Sequence, residues 1–170
     1  LRFIETSIPP PSSYITMPNS PKPSDIAAEA KRIWIPYITR YLWDNQEYGF
    51  ISGSAVCSDS SEIDLSDFER VSTRPAVAVV EGDAVDVALQ WQGHASCTGG
   101  SCPVVNMANA NKPGGDWETV TMGPEESLAR RSNLAQALKT SVGEYHTTSS
   151  HYPIPDAGGL YSPCVGKFVD

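Results

Sequence analysis

One stretch constrains this chain more than any other: residues 104–138, VVNMANANKPGGDWETVTMGPEESLARRSNLAQAL. A short apolar strand at Val104 and Val105 runs into Asn106-Met107-Ala108-Asn109, and a Pro-Gly-Gly turn follows. After Asp116 come seven residues, and Pro124-Glu125-Glu126 then opens an amphipathic helix. Glycines let a backbone approach a pyrophosphate closely, and the N–H groups of a helix start favour anions. Adjacent carboxylates suit sugar recognition and glycosidic-bond chemistry. A phosphate cradle followed by two glutamates therefore points to a phosphorylated sugar as ligand.

Pro124 suits the first helical position, where its missing N–H has no intrahelical use. Glu125 and Glu126 then sit in the first turn, where the macrodipole favours negative charge. Capping alone would explain them. Consecutive helical residues point about 100° apart, so the two carboxylates cannot share one task. Leu128, Leu134, Ala135, Leu138 and Val142 recur at helical spacing and predict one continuous helix to the neighbourhood of Val142.

Upstream, 76–80 (Ala-Val-Ala-Val-Val) is an unbroken apolar run of strand length and reads as a buried strand. Asp83 is placed to cap a helix over 84–91, with Val85, Ala88 and Leu89 on its apolar side. Strand, turn, strand and helix in this order define an α/β chain with parallel neighbours. Residues 1–23 are proline-dense and read as an extended arm. Ser24-Asp25 read as the cap of a helix reaching Ile35, which Pro36 breaks or kinks, and Tyr37 to Trp43 form a second short helix. The aromatics Trp34, Tyr37, Tyr41 and Trp43 read as a packing face. Residues 51–70, rich in Ser and Asp, read as a loop. Asp156 to Ser162 read as a turn into a strand, and Val165 starts another.

Composition narrows the partners. A net charge of −8 and a pI near 4.8 argue against phosphate-tracking contacts to DNA or RNA. No apolar run approaches the length of a membrane span and no leader pattern is visible. Leu1 in place of an initiator Met is expected of a processed or excised piece. Four cysteines, Cys57, Cys97, Cys102 and Cys164, read as free thiols in an intracellular protein, with a Cys97–Cys102 disulfide as the alternative. They form no zinc spacing, and His94, His146 and His151 form no metal triad, so neither metal nor cofactor is expected.

Asn106-Met107-Ala108-Asn109 is similar to the N-x-A-N strand end of macrodomains. The longer run resembles the microbial-type poly(ADP-ribose) glycohydrolases, whose signature is three glycines, six to eight residues, Gln-Glu-Glu, then S-L-x-R-R-S-x-L. Here those positions read Gly114-Gly115-Asp116, seven residues, Pro124-Glu125-Glu126, then Ser127 to Leu134. Glu81 to Ala88 and Tyr152-Pro153-Ile154-Pro155 through Pro163 agree in order, so the likeness covers roughly residues 75–170.

The resemblance implies a macrodomain-like three-layer α/β/α fold with a mixed sheet and an N-terminal helical extension, incomplete at the C-terminus. Residues 1–70 would be the arm and helical extension, and 71–170 the N-terminal half of the catalytic region. The implied function is hydrolysis of the ribose–ribose O-glycosidic bond of poly(ADP-ribose), releasing ADP-ribose. A catalytically impaired ADP-ribose-binding module is the alternative. Glu126 corresponds to the catalytic acid/base and Glu125 to its ribose-gripping partner. Asp83 resembles an adenine reader, Asn109 a contact to the distal ribose, and Gly114, Gly115 and Asp116 the pyrophosphate loop. Implied partners are ADP-ribose or ADP-ribosylated proteins.

Two positions depart from the pattern. Asp116 replaces the third glycine, and a carboxylate about 4 Å from a phosphate charge costs roughly 4 kcal/mol at an effective dielectric near 20, nearly a thousandfold in affinity. The cost falls if the side chain points outward or is neutralised by Lys112 or a cation. Pro124 replaces the glutamine, and Thr119-Val120 stand where the family often has Asn-Gly, so a different loop shape is expected.

Overall fold

A computed structural model describes residues 3–4, 21–44, 54–57, 59–64, 66, 77–92, 102–139, 151–163 and 165–167. His94, His146, Ala76, Val142 and most of the proline-rich arm lie outside the described residues.

The described elements are β1 (Phe3–Ile4), α1 (Pro23–Glu29), a π-helical segment (Ala30–Trp34) and α2 (Ile35–Asp44). They continue with β2 (Ala55–Cys57), a 3-10 turn (Ser60–Glu62), α3 (Ala84–Gln92) and α4 (Pro124–Arg130). The series ends with α5 (Leu134–Ala137), β3 (Gly159–Tyr161) and β4 (Val165–Gly166). Helices and a few strands are consistent with an α/β domain. No helix of the described residues is long and apolar enough to cross a membrane.

The α4–α5 pair lies at the centre because it is buried on two sides. On one side Ala129 and Ala135 join Trp117 and the stripe Ala27, Ala30, Trp34 and Ile38. Spacings of three and four residues put that stripe on one helical face. On the other side Leu128, Leu134, Ala137 and Leu138 meet Val85 of α3 and Val165 of β4. Tyr37 and Tyr41 pack against the first cluster, and the Trp34 and Tyr37 rings meet edge-on at 6.5 Å. The expected aromatic packing face is thus present, except for Trp43, whose side chain is outside the described set. Lys31 Nζ also reaches Glu118 Oε2 at 2.8 Å, tying the first helices to the loop before α4.

Several expectations are corrected. The first helix begins at Pro23 rather than after a Ser24-Asp25 cap: proline takes the first position, Lys22 precedes it without a side-chain cap, and Asp25 lies in the first turn. Of the break or kink expected at Pro36, the break does not occur, since helical residues run on through it to Asp44. The π-helical segment just before the proline, where the Ile35 N–H bonds to Ala30 O, widens the turn and accommodates the ring. The Ser- and Asp-rich stretch is not wholly loop, since β2 pairs antiparallel with β3 from Ala55↔Tyr161 to Cys57↔Gly159. The Ser54 hydroxyl anchors that ladder, donating to Ala137 O at 3.0 Å and lying 2.7 Å from the Ser162 hydroxyl.

The strand expected at 76–80 is not a buried strand. Residues 77–80 are extended but unladdered, with Val77 88% and Val79 100% exposed. Val104 and Val105 are likewise outside any ladder, and Val105 is 87% exposed. An apolar run encodes a strand only where another strand lies beside it, and the described residues supply none here. Among the described residues, strand pairing forms two two-stranded ladders, β1 parallel to β4 and β2 antiparallel to β3, with an isolated bridge between Ser132 and Lys167.

The continuous helix from Pro124 is divided. The first part stops at Arg130, the Ser132 hydroxyl donates to Leu128 O at 2.7 Å, and Asn133 turns to β4. Its amide donates to Gly166 O at 3.2 Å, while its Oδ1 accepts from the Gly166 N–H at 2.8 Å. Ser and Asn offer the backbone these alternatives to helical bonding. Cys57 carries a free thiol, whereas Cys97 and Cys164 lie outside the described residues.

Candidate active site

The first turn of α4 collects what the sequence spreads over twenty residues. Gly123 enters it with extended backbone (φ −131°, ψ 167°), Pro124 follows at the first position, and Glu125 and Glu126 complete the turn. Gly114 and Gly115 sit opposite, both with left-handed backbone (φ +75° and +59°). Only glycine adopts such geometry without strain. Space excludes a side chain as well. A Cβ on Gly114 would lie 3.0 Å from Trp117 Cδ1 and 3.2 Å from Ala135 Cβ, and one on Gly115 would overlap the Glu126 carboxylate.

The adjacent glutamates have different surroundings. Glu125 is 2% exposed. Its Oε2 accepts the Asn109 N–H at 2.6 Å, and its Oε1 accepts the Gly114 N–H at 3.2 Å and the Asn106 amide at 3.3 Å. This one carboxylate therefore joins the N-x-A-N segment to the glycine turn. Burial pushes its pKa up, opposed by those three hydrogen bonds and assisted by the charge of Glu126. Glu126 is half-buried and accepts the Asp116 N–H at 3.1 Å through Oε1. Its other oxygen faces Gly123, where a Cβ would again overlap it. Glycines thus flank this carboxylate on both sides.

Asp116 is exposed and its carboxylate is paired with Lys112 Nζ at 2.5 Å. That hydrogen bond and the Asp116 charge raise the Lys112 pKa. The charge placed in the glycine loop is therefore offset by its own neighbour. Asn109 is also exposed. Its Oδ1 accepts the N–H groups of Asn111 and Lys112 at 2.9 and 3.1 Å and shapes the turn into the glycines.

Asp83 belongs to an adjoining cavity of about 440 Å³, whose wall also includes Asn106, Met107, Met122, Gly123 and Arg131. It caps α3, with Oδ1 accepting from Val85 N at 3.0 Å and Asp86 N at 3.3 Å, while Oδ2 pairs with Arg131 at 2.6 Å. Burial works against its ionisation, but the Arg131 hydrogen bond and charge, with the two N–H groups, hold the carboxyl below its ordinary value. Asn109, Gly114, Gly115, Asp116, Glu125 and Glu126 are brought together, and Asp83 lines the cavity beside them.

Sequence reasoning left three contributors without a role. Arg130, 4% exposed, donates to the carbonyls of Trp117, Thr119 and Thr121, and Trp117 is itself buried beneath Gly114. Tyr152 is half-buried close to Glu125; burial, and then the charge of Glu125, push its hydroxyl up to about 12. The signal for Arg130 was the S-L-x-R-R-S run; the sequence carried none for Trp117.

The site is thus a short helix whose first-turn carboxylates are held against a doubly left-handed glycine turn. The model of the family described as microbial-type PARG (poly(ADP-ribose) glycohydrolase), catalytic domain, matches residues 44–170, about three quarters of the chain, and the chain belongs to that family. Neither a curated protein nor a solved structure matches it. At the family level this is a glycosidase-type hydrolase domain for ADP-ribosylated substrates.

Proposed function

We propose that this chain cleaves the ribose–ribose O-glycosidic bond of poly(ADP-ribose) and releases ADP-ribose, on a macrodomain-like three-layer scaffold. The observation that carries the reading is the convergence of the glycine turn and the Glu126 carboxylate, joined by the Asp116 N–H at 3.1 Å. Glu126 protonates the departing ribose oxygen and then activates water against an oxocarbenium-like centre. Gly114 and Gly115 expose main chain to the pyrophosphate, and the Lys112–Asp116 pair removes most of the repulsion that a lone carboxylate would impose.

Glu125 grips a ribose hydroxyl in this reading. A carboxylate offers about four acceptor positions, and three protein donors occupy Glu125. A sugar hydroxyl takes the remaining position, or displaces the Asn106 amide, whose bond is the longest of the three at 3.3 Å. Asp83 reads adenine from the adjoining cavity, and Asn109 contacts the distal ribose.

The test is release of ADP-ribose from a polymer-modified protein by the parent chain and by Glu126→Ala, with calorimetry of ADP-ribose binding to both. Release by the parent, lost in the variant while binding persists, is the expected result. Equal release by both overturns the assignment, and binding by a parent that releases nothing identifies a reader instead.

A further inference from the structure

We propose that Arg130 is the positioning residue for Glu126: it locks residues 117–122 into a rigid loop whose two ends hold the Glu126 carboxylate in place. The catalytic consequence rests on the reading of Glu126 given above; the geometry does not.

The guanidinium fans out over one short segment. Nε donates to Trp117 O at 2.8 Å, and Nη2 to Thr119 O at 3.1 Å and Thr121 O at 2.5 Å. Nη1 lies 3.8 Å from the Met122 sulfur. Nothing in this grip depends on the loop's side-chain polarity, because the three oxygen acceptors are main-chain carbonyls. The side chain is 4% exposed, and burial lowers its pKa, with the nearby Glu126 charge as the opposing influence. Burying a guanidinium among carbonyl dipoles is costly. An apolar side chain would avoid that cost only by leaving these carbonyls without their donor, so the residue ties the loop as well as filling space.

The loop's two ends show what is gained. Immediately before it, the Asp116 N–H donates to Glu126 Oε1 at 3.1 Å, and Gly115, having no side chain, leaves that oxygen its space. Immediately after it, Gly123 leaves the other oxygen room that a Cβ would fill, since one built there would lie 2.2 Å from Oε2. Arg130 stands four residues after Glu126 on α4, hence on the same side of the helix. One residue thus fixes the span between the Asp116 N–H that holds one carboxylate oxygen and the glycine that leaves room for the other. The glycine turn is held separately, through Glu125. Loss of the Arg130 fan should therefore loosen Glu126 without loosening the turn.

The experiment compares the parent with Arg130→Lys, which keeps the charge but has no planar fork. Arg130→Gln, planar and neutral, serves if Lys prevents folding. Three quantities are read: amide exchange across 117–123 and at Asn109 and Gly114, the carbon-13 signal of the Glu126 carboxylate, and ADP-ribose release with ADP-ribose affinity. Expected are exchange at 117–123 faster by tenfold or more (roughly the loss of one charge-assisted hydrogen bond), Asn109 and Gly114 as in the parent, and a shifted, broadened Glu126 signal. Release should fall about a hundredfold, as a misplacement near 1 Å produces, with affinity near the parental value.

Parental exchange at 117–123, or an unmoved Glu126 signal, overturns the proposal. So does a fall in release matched by an equal fall in affinity, which marks general damage. If the parent itself releases nothing, the hydrolase reading fails, and the exchange and carbon-13 results decide the positioning claim alone.

Discussion

Removing Glu125 should cost stability in a way that distinguishes it from the glutamate beside it. Glu125→Ala deprives three donors of their acceptor: the buried Gly114 N–H, the half-buried Asn106 amide and the Asn109 N–H. A buried donor left unsatisfied costs about 1–3 kcal/mol. Water can reach the exposed Asn109, so its share is small, and relief of a buried carboxylate offsets part of the rest. A net loss of about 2–4 kcal/mol follows. For a chain of this size each kcal/mol moves the thermal midpoint by about 2–4 °C, so the variant should melt roughly 5–15 °C lower.

Glu125→Gln sharpens the test. An amide can satisfy Asn109 with its oxygen only by turning its NH2 toward Gly114 and Asn106, or the reverse. Either orientation sets donor against donor. Gln should therefore destabilise nearly as much as Ala, against the usual expectation for an isosteric change. Glu126→Gln, by contrast, concerns a half-buried group with one protein donor, the Asp116 N–H, and should cost under about 1 kcal/mol. Thermal and urea unfolding followed by circular dichroism would measure all three. A Glu125→Gln chain within about 0.5 kcal/mol of the parent, the spread of ordinary surface changes, would refute the three-donor argument.

The same residue makes stability depend on pH. Its folded pKa is raised above the unfolded value, so the folded chain binds the extra proton and Glu125 contributes stability fully below about pH 4.3. That contribution fades as pH climbs through the raised value, which melts of the parent and of Glu125→Ala at pH 4 and 7 would measure as a pH-dependent part present only in the parent. Lys112→Ala should weaken ADP-ribose binding several-fold by uncovering the Asp116 charge, and Asp116→Ala added to it should restore the parental constant in calorimetry. Asp83→Asn keeps a capping side chain but loses the Arg131 ion pair. Since that pair is partly exposed, the change should cost under about 1 kcal/mol, and Asp83→Ala about 1 kcal/mol more in urea unfolding. Gly114→Ala should destabilise by more than about 1 kcal/mol, because it combines a strained φ with a Cβ pressed against Trp117 and Ala135.

The parts legible in the sequence were the locally determined ones. The α3 start follows from the Asp83 cap, the α4 start from Pro124, and the left-handed turn from paired glycines. Long-range partners decided the rest. Neither 77–80 nor 104–105 lacks strand character in composition, yet both are unpaired among the described residues, while β2, set in a Ser- and Asp-rich stretch, is paired because Gly159–Tyr161 reaches it. The helix break at 131–133 has the same origin, since Asn133 finds β4. Glu125 and Glu126 are chemically identical, and only the placement of Asn106, Asn109 and Gly114 makes one a buried tie and leaves the other half-open.

The seven-residue interval between Asp116 and Pro124 then has a physical meaning that residue identity does not carry. One end must bring the Asp116 N–H to one oxygen of the carboxylate, the other must leave the second oxygen room at Gly123, and the middle must offer carbonyls to a guanidinium one helical turn beyond. Length governs both requirements. The grip on its middle uses main-chain carbonyls at Thr119 and Thr121, and the Val120 side chain between them is 68% exposed. Thr119-Val120 in place of Asn-Gly therefore leaves the grip unaffected, and Pro124 supplies the helix start without needing an amide brace. Inserting or deleting a single residue in 117–122 should damage the site more than replacing any one of Thr119, Val120 or Thr121 by alanine.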